Sequence, residues 1–136
     1  MHSIGWPVAL RPGTMEVDTA CTLEGTWAAM EALVDSGVTR YIGVSNFDLP
    51  QVERVLACAR VKPAVVQAEL HPLCPQRKLV GVCKRYGLAI VALHPLGDGT
   101  DASHAAAAAV ASACGQTAAA AVVRWNVQRV VGVVSC

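Results

Sequence analysis

A regular alternation of short apolar runs with segments of helical periodicity constrains the fold most strongly. The runs centred on Ile42, Val66 and Ile90 follow one another at equal intervals, each long enough for one strand and one helix. Between them, apolar residues recur at helical spacing, and Gly37 and Gly87 stand where helices commonly end. This alternation is typical of βα units, in which neighbouring strands run parallel and helices form the connections.

The pattern predicts five parallel strands alternating with about five helices. The strands are predicted at residues 3–6, 40–44, 64–69, 88–93 and 130–134, with a Pro/Gly loop at 11–13. The helices are predicted at residues 26–36, from a cap at 48 to about 59, at 76–86, at 102–114 and from a cap at 117 to about 126.

Five such strands fit either an open doubly wound sheet or part of a (β/α)8 barrel, and periodicity leaves both open. A complete barrel takes about 250 residues. The 136 residues of this chain would therefore supply about half of one. We expect residues 1–136 to form a single, truncated α/β domain.

Composition narrows the classes of function. A content of 54% apolar against 15% charged residues excludes a disordered chain. The formal net charge of +1 and the aromatic content of 4% provide neither the basic surface nor the stacking rings that nucleic-acid binding requires. The first residues do not resemble a secretory signal, and the longest alanine-rich stretch is too short to span a bilayer. We expect a cytoplasmic protein without nucleic-acid or membrane partners.

The cysteines do not form a metal-binding pattern. Six of them lie at irregular spacings without a CxxC pair, which in a cytoplasmic protein is typical of reduced thiols. The nearest approach to a set of metal ligands is His71, Cys74 and Cys83, around a predicted turn. We interpret these thiols as buried and the histidine as a turn residue, and we predict no metal site.

Polar side chains follow two neighbouring predicted strands at their carboxyl ends. Ser45 and Asn46 come after the second strand, and Gln67 lies near the end of the third. In a parallel α/β fold these ends meet at one edge, where hydroxyl and amide groups could orient an uncharged amide or carbonyl by hydrogen bonds. The alternative interpretation is that Ser45 and Asn46 only cap the loop into the next helix.

Six stretches, in order along the chain, resemble the aldo-keto reductases from the fourth strand of their barrel to the eighth. The most recognisable is Ile-Gly-Val-Ser-Asn-Phe at 42–47. The others are Ile-Gly-Trp-Pro-Val at 4–8, the helical stretch 23–34, Val-Lys-Pro-Ala-Val-Val-Gln-Ala-Glu-Leu-His-Pro at 61–72, Leu-His-Pro-Leu-Gly at 93–97, and Val-Arg-Trp-Asn-Val-Gln-Arg at 123–129.

The resemblance implies a (β/α)8 barrel that binds NADPH and reduces aldehydes or ketones to alcohols. It implies that Ser45, Asn46 and Gln67 hold the carboxamide of the nicotinamide, which agrees with their expected place at the strand ends. Fixed amide contacts would set which face of the ring receives or donates hydride. The expected partner is a small carbonyl compound.

The departures from the family pattern concern catalysis. The family's Asp, Tyr and Lys lie on strands without a counterpart in these residues, and its His position falls on Gly5. The Tyr that stacks on the nicotinamide corresponds to Leu93, and the Pro-Lys after the last strand to Ser135 and Cys136. We therefore predict no catalytic residue in this chain and an impaired reductase.

Two other interpretations stay open. One is a non-catalytic half-barrel that associates with itself or with another chain, because an open half-barrel leaves sheet edges and an apolar inner face uncovered. The other is an incomplete gene model whose product does not accumulate. We interpret His71 and His94, which each precede a proline at a strand end, as turn residues rather than as catalysts.

Overall fold

A computed structural model describes residues 7–11, 14–17, 20–129 and 131–134. The first predicted strand, at residues 3–6, lies outside the described residues, as do Gly5, Ser135 and Cys136. The strands are β1 (Pro7–Arg11), β2 (Thr14–Val17), β3 (Gly43–Ser45), β4 (Val65–Glu69), β5 (Ala89–Leu93) and β6 (Gly132–Val133). The helices are α1 (Leu23–Asp35), α2 (Leu49–Cys58), α3 (Arg77–Tyr86), α4 (Thr100–Ser103), α5 (Ala105–Cys114) and α6 (Ala118–Gln128), with a 3-10 turn at Gly97–Gly99 before α4.

Four strands form a parallel sheet whose order follows the sequence, β3-β4-β5-β6. Each strand is therefore joined to its immediate neighbour through a connection that contains helix. A doubly wound sheet would reverse its strand order at a switch point, whereas successive neighbours are the arrangement of a barrel. The strand order therefore favours the barrel over the open sheet.

β1 and β2 form an antiparallel hairpin, with Pro7 opposite Val17 and an irregularity between Ala9 and Arg11. The sequence pattern predicted only a loop in this stretch. Two strands of five and four residues are too short to display a clear period of two.

The chain divides into two compact units, which are described separately. One consists of Met1–Ile42 with Pro50–Pro63, and the other of Gly43–Leu49 with Ala64–Cys136. In the part of the first unit whose burial is described, the buried apolar side chains include Leu23, Trp27, Ile42, Val52, Val55 and Pro63. The second unit contains the parallel sheet, and its core is built from β-branched and aliphatic residues of the strands and α3, among them Val44, Val66, Leu70, Leu79, Val80, Ile90 and Ala92.

The strand predicted at residues 40–44 begins and ends later in the structure, at Gly43–Ser45. Gly43 pairs with Val65, and a Cβ added at Gly43 would collide with the backbone oxygen and side chain of that residue. Gly43 therefore allows β3 to approach β4 closely, and β3 begins at this residue rather than at the start of the apolar run.

The prediction of a single helix at residues 102–114 is wrong, because the structure has two helices there, α4 and α5. His104 separates them with an extended backbone, φ −70° and ψ 137°. Its Nδ1 accepts a hydrogen bond from the backbone N–H of Ala106 at 3.2 Å, so His104 caps α5. Alanine propensity is uniform along this stretch and does not reveal the break. The predicted cap at Thr117 is confirmed, because its hydroxyl oxygen accepts from the N–H of Ala120 at 3.2 Å.

Among the described residues, no single helix has the length and apolarity needed to cross a membrane. Taken together, α5 and α6 reach that length and apolar content, but they meet at an angle of 90°.

Candidate functional site at the strand ends

The three predicted cofactor residues lie together at the carboxyl ends of β3 and β4. Ser45 stands opposite Gln67 in the parallel pairing, and its Oγ lies 3.2 Å from Oε1 of Gln67. The backbone N–H of Asn46 donates to the carbonyl of Gln67 at 2.9 Å, which extends the strand pairing by one residue. The structure thus brings Ser45, Asn46 and Gln67 to one edge of the sheet.

Asn46 has a left-handed backbone, with φ 60°. Asparagine is one of the few residues that adopt this conformation without a large cost, because its short amide bonds locally. This turn ends β3 and directs the chain toward α2, which begins at Leu49. Asn46 therefore has a backbone role besides any role of its amide.

The side-chain chemistry at this edge is that of neutral donors and acceptors open to solvent. Ser45 and Asn46 are exposed, and Gln67 is half-buried. If the Ser45 hydroxyl donates to Oε1 of Gln67, the NH2 group of Gln67 is the one presented to a ligand. The hydroxyl of Ser45 bonds across the sheet to Gln67.

Leu93, which the resemblance aligns with the ring-stacking Tyr, ends β5 opposite Glu69 and is half-buried. The next residue, His94, has φ 47°, is exposed, and places its Nδ1 2.8 Å from Oδ1 of Asp98. Its imidazole therefore bonds within its own turn, as interpreted from the sequence.

A second cluster of polar side chains lies just beyond β4. Nε2 of His71 is 2.9 Å from Oε1 of Glu69, and its Nδ1 is 2.5 Å from Oδ2 of Asp101. His71 and Asp101 are both buried, with 6% and 2% of their surfaces exposed. Sγ of Cys74 belongs to the same group, since the ligand atoms of Glu69, His71 and Cys74 all lie within 4.8 Å of one another.

Sequence reasoning had grouped His71 and Cys74 with Cys83, but Cys83 is fully buried in α3. Burial there raises the pKa of the Cys83 thiol. The spacing of Glu69 and His71 is the sequence signal for grouping them, because residues two apart on a strand share a face. Asp101 is distant in sequence and stands in a stretch without a recognisable pattern.

Burial and the nearby carboxylates of Glu69 and Asp101 raise the pKa of the Cys74 thiol. The Cys74 side chain is therefore held as a thiol next to two acidic groups. A cation placed among them would reverse this preference, since it would favour the thiolate.

Comparison with known proteins decides the family. A model of the Aldo/keto reductase family matches residues 4–136. The chain belongs to the aldo/keto reductase family. The order of β3 to β6 agrees with this assignment, and the sheet is a part of the family's (β/α)8 barrel rather than an open doubly wound sheet.

Individual aldo/keto reductases support the assignment. An aldo/keto reductase of Synechocystis is 42% identical over 107 residues, which are 73% of this chain and 33% of the relative. The 7-acetyl-epi-neemfruitin B aldo-keto reductase of Melia azedarach is 38% identical over a stretch that covers 95% of this chain and 42% of the relative. The solved aldose reductase of Schistosoma japonicum superposes with a TM-score of 0.81 at 32% identity, over 98% of this chain and 43% of that one. The chain thus spans less than half the length of these relatives.

Proposed function

We propose that the chain is an aldo/keto reductase homologue that binds NADPH through Ser45, Asn46 and Gln67 and serves the reduction of an aldehyde or ketone to an alcohol. The observation that carries the proposal is the 3.2 Å contact between Ser45 Oγ and Gln67 Oε1 at the carboxyl ends of β3 and β4, with Asn46 beside it. The family's use of a nicotinamide cofactor is the second support.

The chemistry of the three residues fits a carboxamide. A carboxamide offers one carbonyl acceptor and one NH2 donor, and the side chains of Asn46 and Gln67 offer the complementary groups. The Ser45 contact limits the freedom of the Gln67 side chain, so less rotational entropy is lost when the ligand binds. When bound, the cofactor would supply the hydride. The residues of the chain would bind its amide and orient the ring.

We propose that these 136 residues alone have little turnover. The position of the family's catalytic histidine is Gly5, which carries no side chain to polarise a carbonyl. The family's general acid, a Tyr, lies on a strand without a counterpart in these residues, and loss of a general acid typically lowers a rate by about 10²–10⁴-fold. Cofactor binding and catalysis are therefore expected to separate, with binding the property to measure.

The test is calorimetric titration of the purified chain with NADPH. We expect saturable binding that weakens about tenfold in Asn46→Gly, because about 1.4 kcal/mol is lost with the amide contacts. Glycine is the informative replacement, since it keeps the left-handed backbone at this position. Asn46→Ala should show the same loss with an added cost in stability.

Gln116→Ala is the matched control, because it removes an exposed amide in the turn after α5. It should bind NADPH like the parent chain. Equal affinity of the parent and Asn46→Gly would contradict the assignment of the amide. Failure of the parent to bind at about 1 mM cofactor would contradict the proposed function.

We propose self-association as the alternative function. In the described sheet, β3 pairs only with β4 and β6 pairs only with β5, so both outer strands present unpaired backbone groups. Val134, directly after β6, is 44% exposed. Strand edges and exposed apolar residues of this kind favour association with a second copy.

Light scattering at several protein concentrations tests the alternative. We expect the mass to rise with concentration toward that of a dimer or a larger assembly, because the exposed edges pair between copies. A constant monomer mass over a hundredfold range of concentration would exclude self-association, whatever the outcome of the NADPH titration.

A further inference from the structure

We propose that Glu69, His71 and Cys74 bind one divalent transition-metal ion, with Zn²⁺ the best fit, and that Asp101 orients His71 as a ligand. The inference is independent of NADPH binding, because it rests on other side chains. It also replaces our expectation from the sequence that His71 and Cys74 would only be a turn residue and a buried thiol.

The ligand atoms are already close together. Oε1 of Glu69 and Nε2 of His71 are 2.9 Å apart, and Sγ of Cys74 lies within 4.8 Å of both. A tetrahedral Zn²⁺ with bonds of about 2.0–2.3 Å separates its ligands by about 3.4–3.6 Å. The Glu69–His71 contact would have to lengthen by about half an ångström, which the exposed carboxylate allows by rotation.

The backbone holds the ligands in this arrangement. Glu69 and His71 point to the same side because they are two residues apart, while Leu70 between them is fully buried on the other side. His71 and Cys74 exchange two backbone hydrogen bonds of 3.2 and 2.9 Å across a turn, which sets their side chains next to each other. The amide of Asn126 donates to the carbonyl of Leu70 at 3.1 Å and fixes the strand end.

Asp101 supplies the group that usually stands behind a metal-bound histidine. Its Oδ2 is buried and lies 2.5 Å from Nδ1 of His71, and neither atom has a hydrogen-bond partner of regular geometry. In the metal-bound site, a carboxylate facing Nδ1 would keep the proton on that nitrogen and leave the lone pair of Nε2 for the metal ion. The N–H of Leu73 donates to Oδ1 at 3.0 Å and holds the carboxylate in place.

Gly97 makes this close approach of Asp101 feasible. It has φ 56°, and a Cβ added there would collide with Oδ2 of Asp101 and lie 3.2 Å from Cε1 and Nδ1 of His71. The loop between β5 and α4 therefore packs directly on the imidazole, and the ring cannot swing away from its carboxylate.

The electrostatics favour a cation. Glu69 and the buried Asp101 place two acidic side chains at 2.9 Å and 2.5 Å from the ring nitrogens of His71, and Cys74 lies beside them. On metal binding the S–H bond breaks, the proton leaves to solvent, and the thiolate sulfur forms the bond to the metal. One sulfur, one nitrogen and one oxygen ligand are the donor set of Zn²⁺, and the 55% exposure of the Glu69 side chain leaves room for water as fourth ligand.

The test is titration of the reduced, metal-free chain with Co²⁺, followed by displacement with Zn²⁺. We expect one equivalent of Co²⁺ to produce a thiolate-to-cobalt charge-transfer band that Zn²⁺ removes. Cys74→Ser should abolish the band, and Cys114→Ser, which changes an exposed thiol at the end of α5, should keep it. A band that persists in Cys74→Ser, or the absence of any band in the parent chain, would overturn the proposal.

Asp101→Asn tests the orienting role without removing a ligand. The asparagine oxygen can still accept from Leu73, but its NH2 would face Nδ1 and place the histidine proton on Nε2. We expect the affinity for Co²⁺ to fall about 10–100-fold while the spectrum of the loaded site stays the same. Unchanged affinity in a folded Asp101→Asn chain would show that Asp101 does not orient His71.

Discussion

Replacing Trp27 with alanine is expected to lower the free energy of unfolding by about 3–5 kcal/mol. Among the residues of the first unit whose burial is described, Trp27 is the largest buried side chain, with 2% of its surface exposed. Its indole Nε1 donates to the carbonyl of Val61 at 3.2 Å. The substitution removes both the ring and this hydrogen bond. Urea denaturation followed by far-ultraviolet circular dichroism measures the loss without relying on tryptophan emission.

Trp27→Phe separates packing from hydrogen bonding. It keeps an aromatic ring but leaves the Val61 carbonyl without the indole donor, so we expect a loss of about 1–2 kcal/mol. Glu31, one turn further along α1, accepts from the N–H of Val61 at 2.8 Å, and that contact remains in both variants. A cost below about 1 kcal/mol for Trp27→Ala would mean that the core of this unit does not depend on the indole.

The parallel sheet was predictable because its strands are buried and evenly spaced. The strands predicted at residues 64–69 and 88–93 differ from β4 and β5 by one residue at the start of each. Val66 and Ile90 at their centres are 0% and 3% exposed. The residues on the other face of β4 and β5 are half-buried or exposed, but most of them are apolar, so each strand forms an apolar run that sequence alone reveals. Gly87, with φ 69°, ends α3 as the sequence predicted.

The missed features depend on single contacts or on short elements. The break at His104 comes from one imidazole that accepts one backbone N–H, in a stretch where every neighbour favours helix. β3 is three residues long and is set by the close approach of Gly43 to Val65. Neither contact leaves a periodic pattern, since each involves one pair of residues.

The polar residues beyond the strand ends also include some that the sequence could group and one that it could not. Ser45, Asn46 and Gln67 could be grouped from sequence because parallel strands bring their carboxyl ends together. Their proximity is borne out by the structure, whereas their role in cofactor binding stays a prediction. Asp101 could not be grouped with His71, because its approach requires the turn at Gly97 and the short helix α4.

Asp101→Ala is the second substitution with a large expected effect, a loss of about 3–5 kcal/mol. The carboxylate is 2% exposed, contacts Nδ1 of His71 at 2.5 Å and accepts from the N–H of Leu73 at 3.0 Å. Its removal leaves the N–H of Leu73 without its acceptor and the buried imidazole of His71 without the carboxylate that faces it. Urea denaturation of the metal-free chain measures the effect apart from any stabilisation by a bound ion.

The chain provides its own control in a second His–Asp pair. His94 and Asp98 are 2.8 Å apart but their side chains are 49% and 82% exposed, so water can replace either partner. Asp98→Asn, which tolerates the local φ of 51°, should change the free energy of unfolding by less than about 1 kcal/mol. Asp101→Asn should fall between Asp98→Asn and Asp101→Ala, because it keeps the bond to Leu73. Equal changes in the free energy of unfolding for Asp98→Asn and Asp101→Asn would contradict burial as the cause of the larger effect.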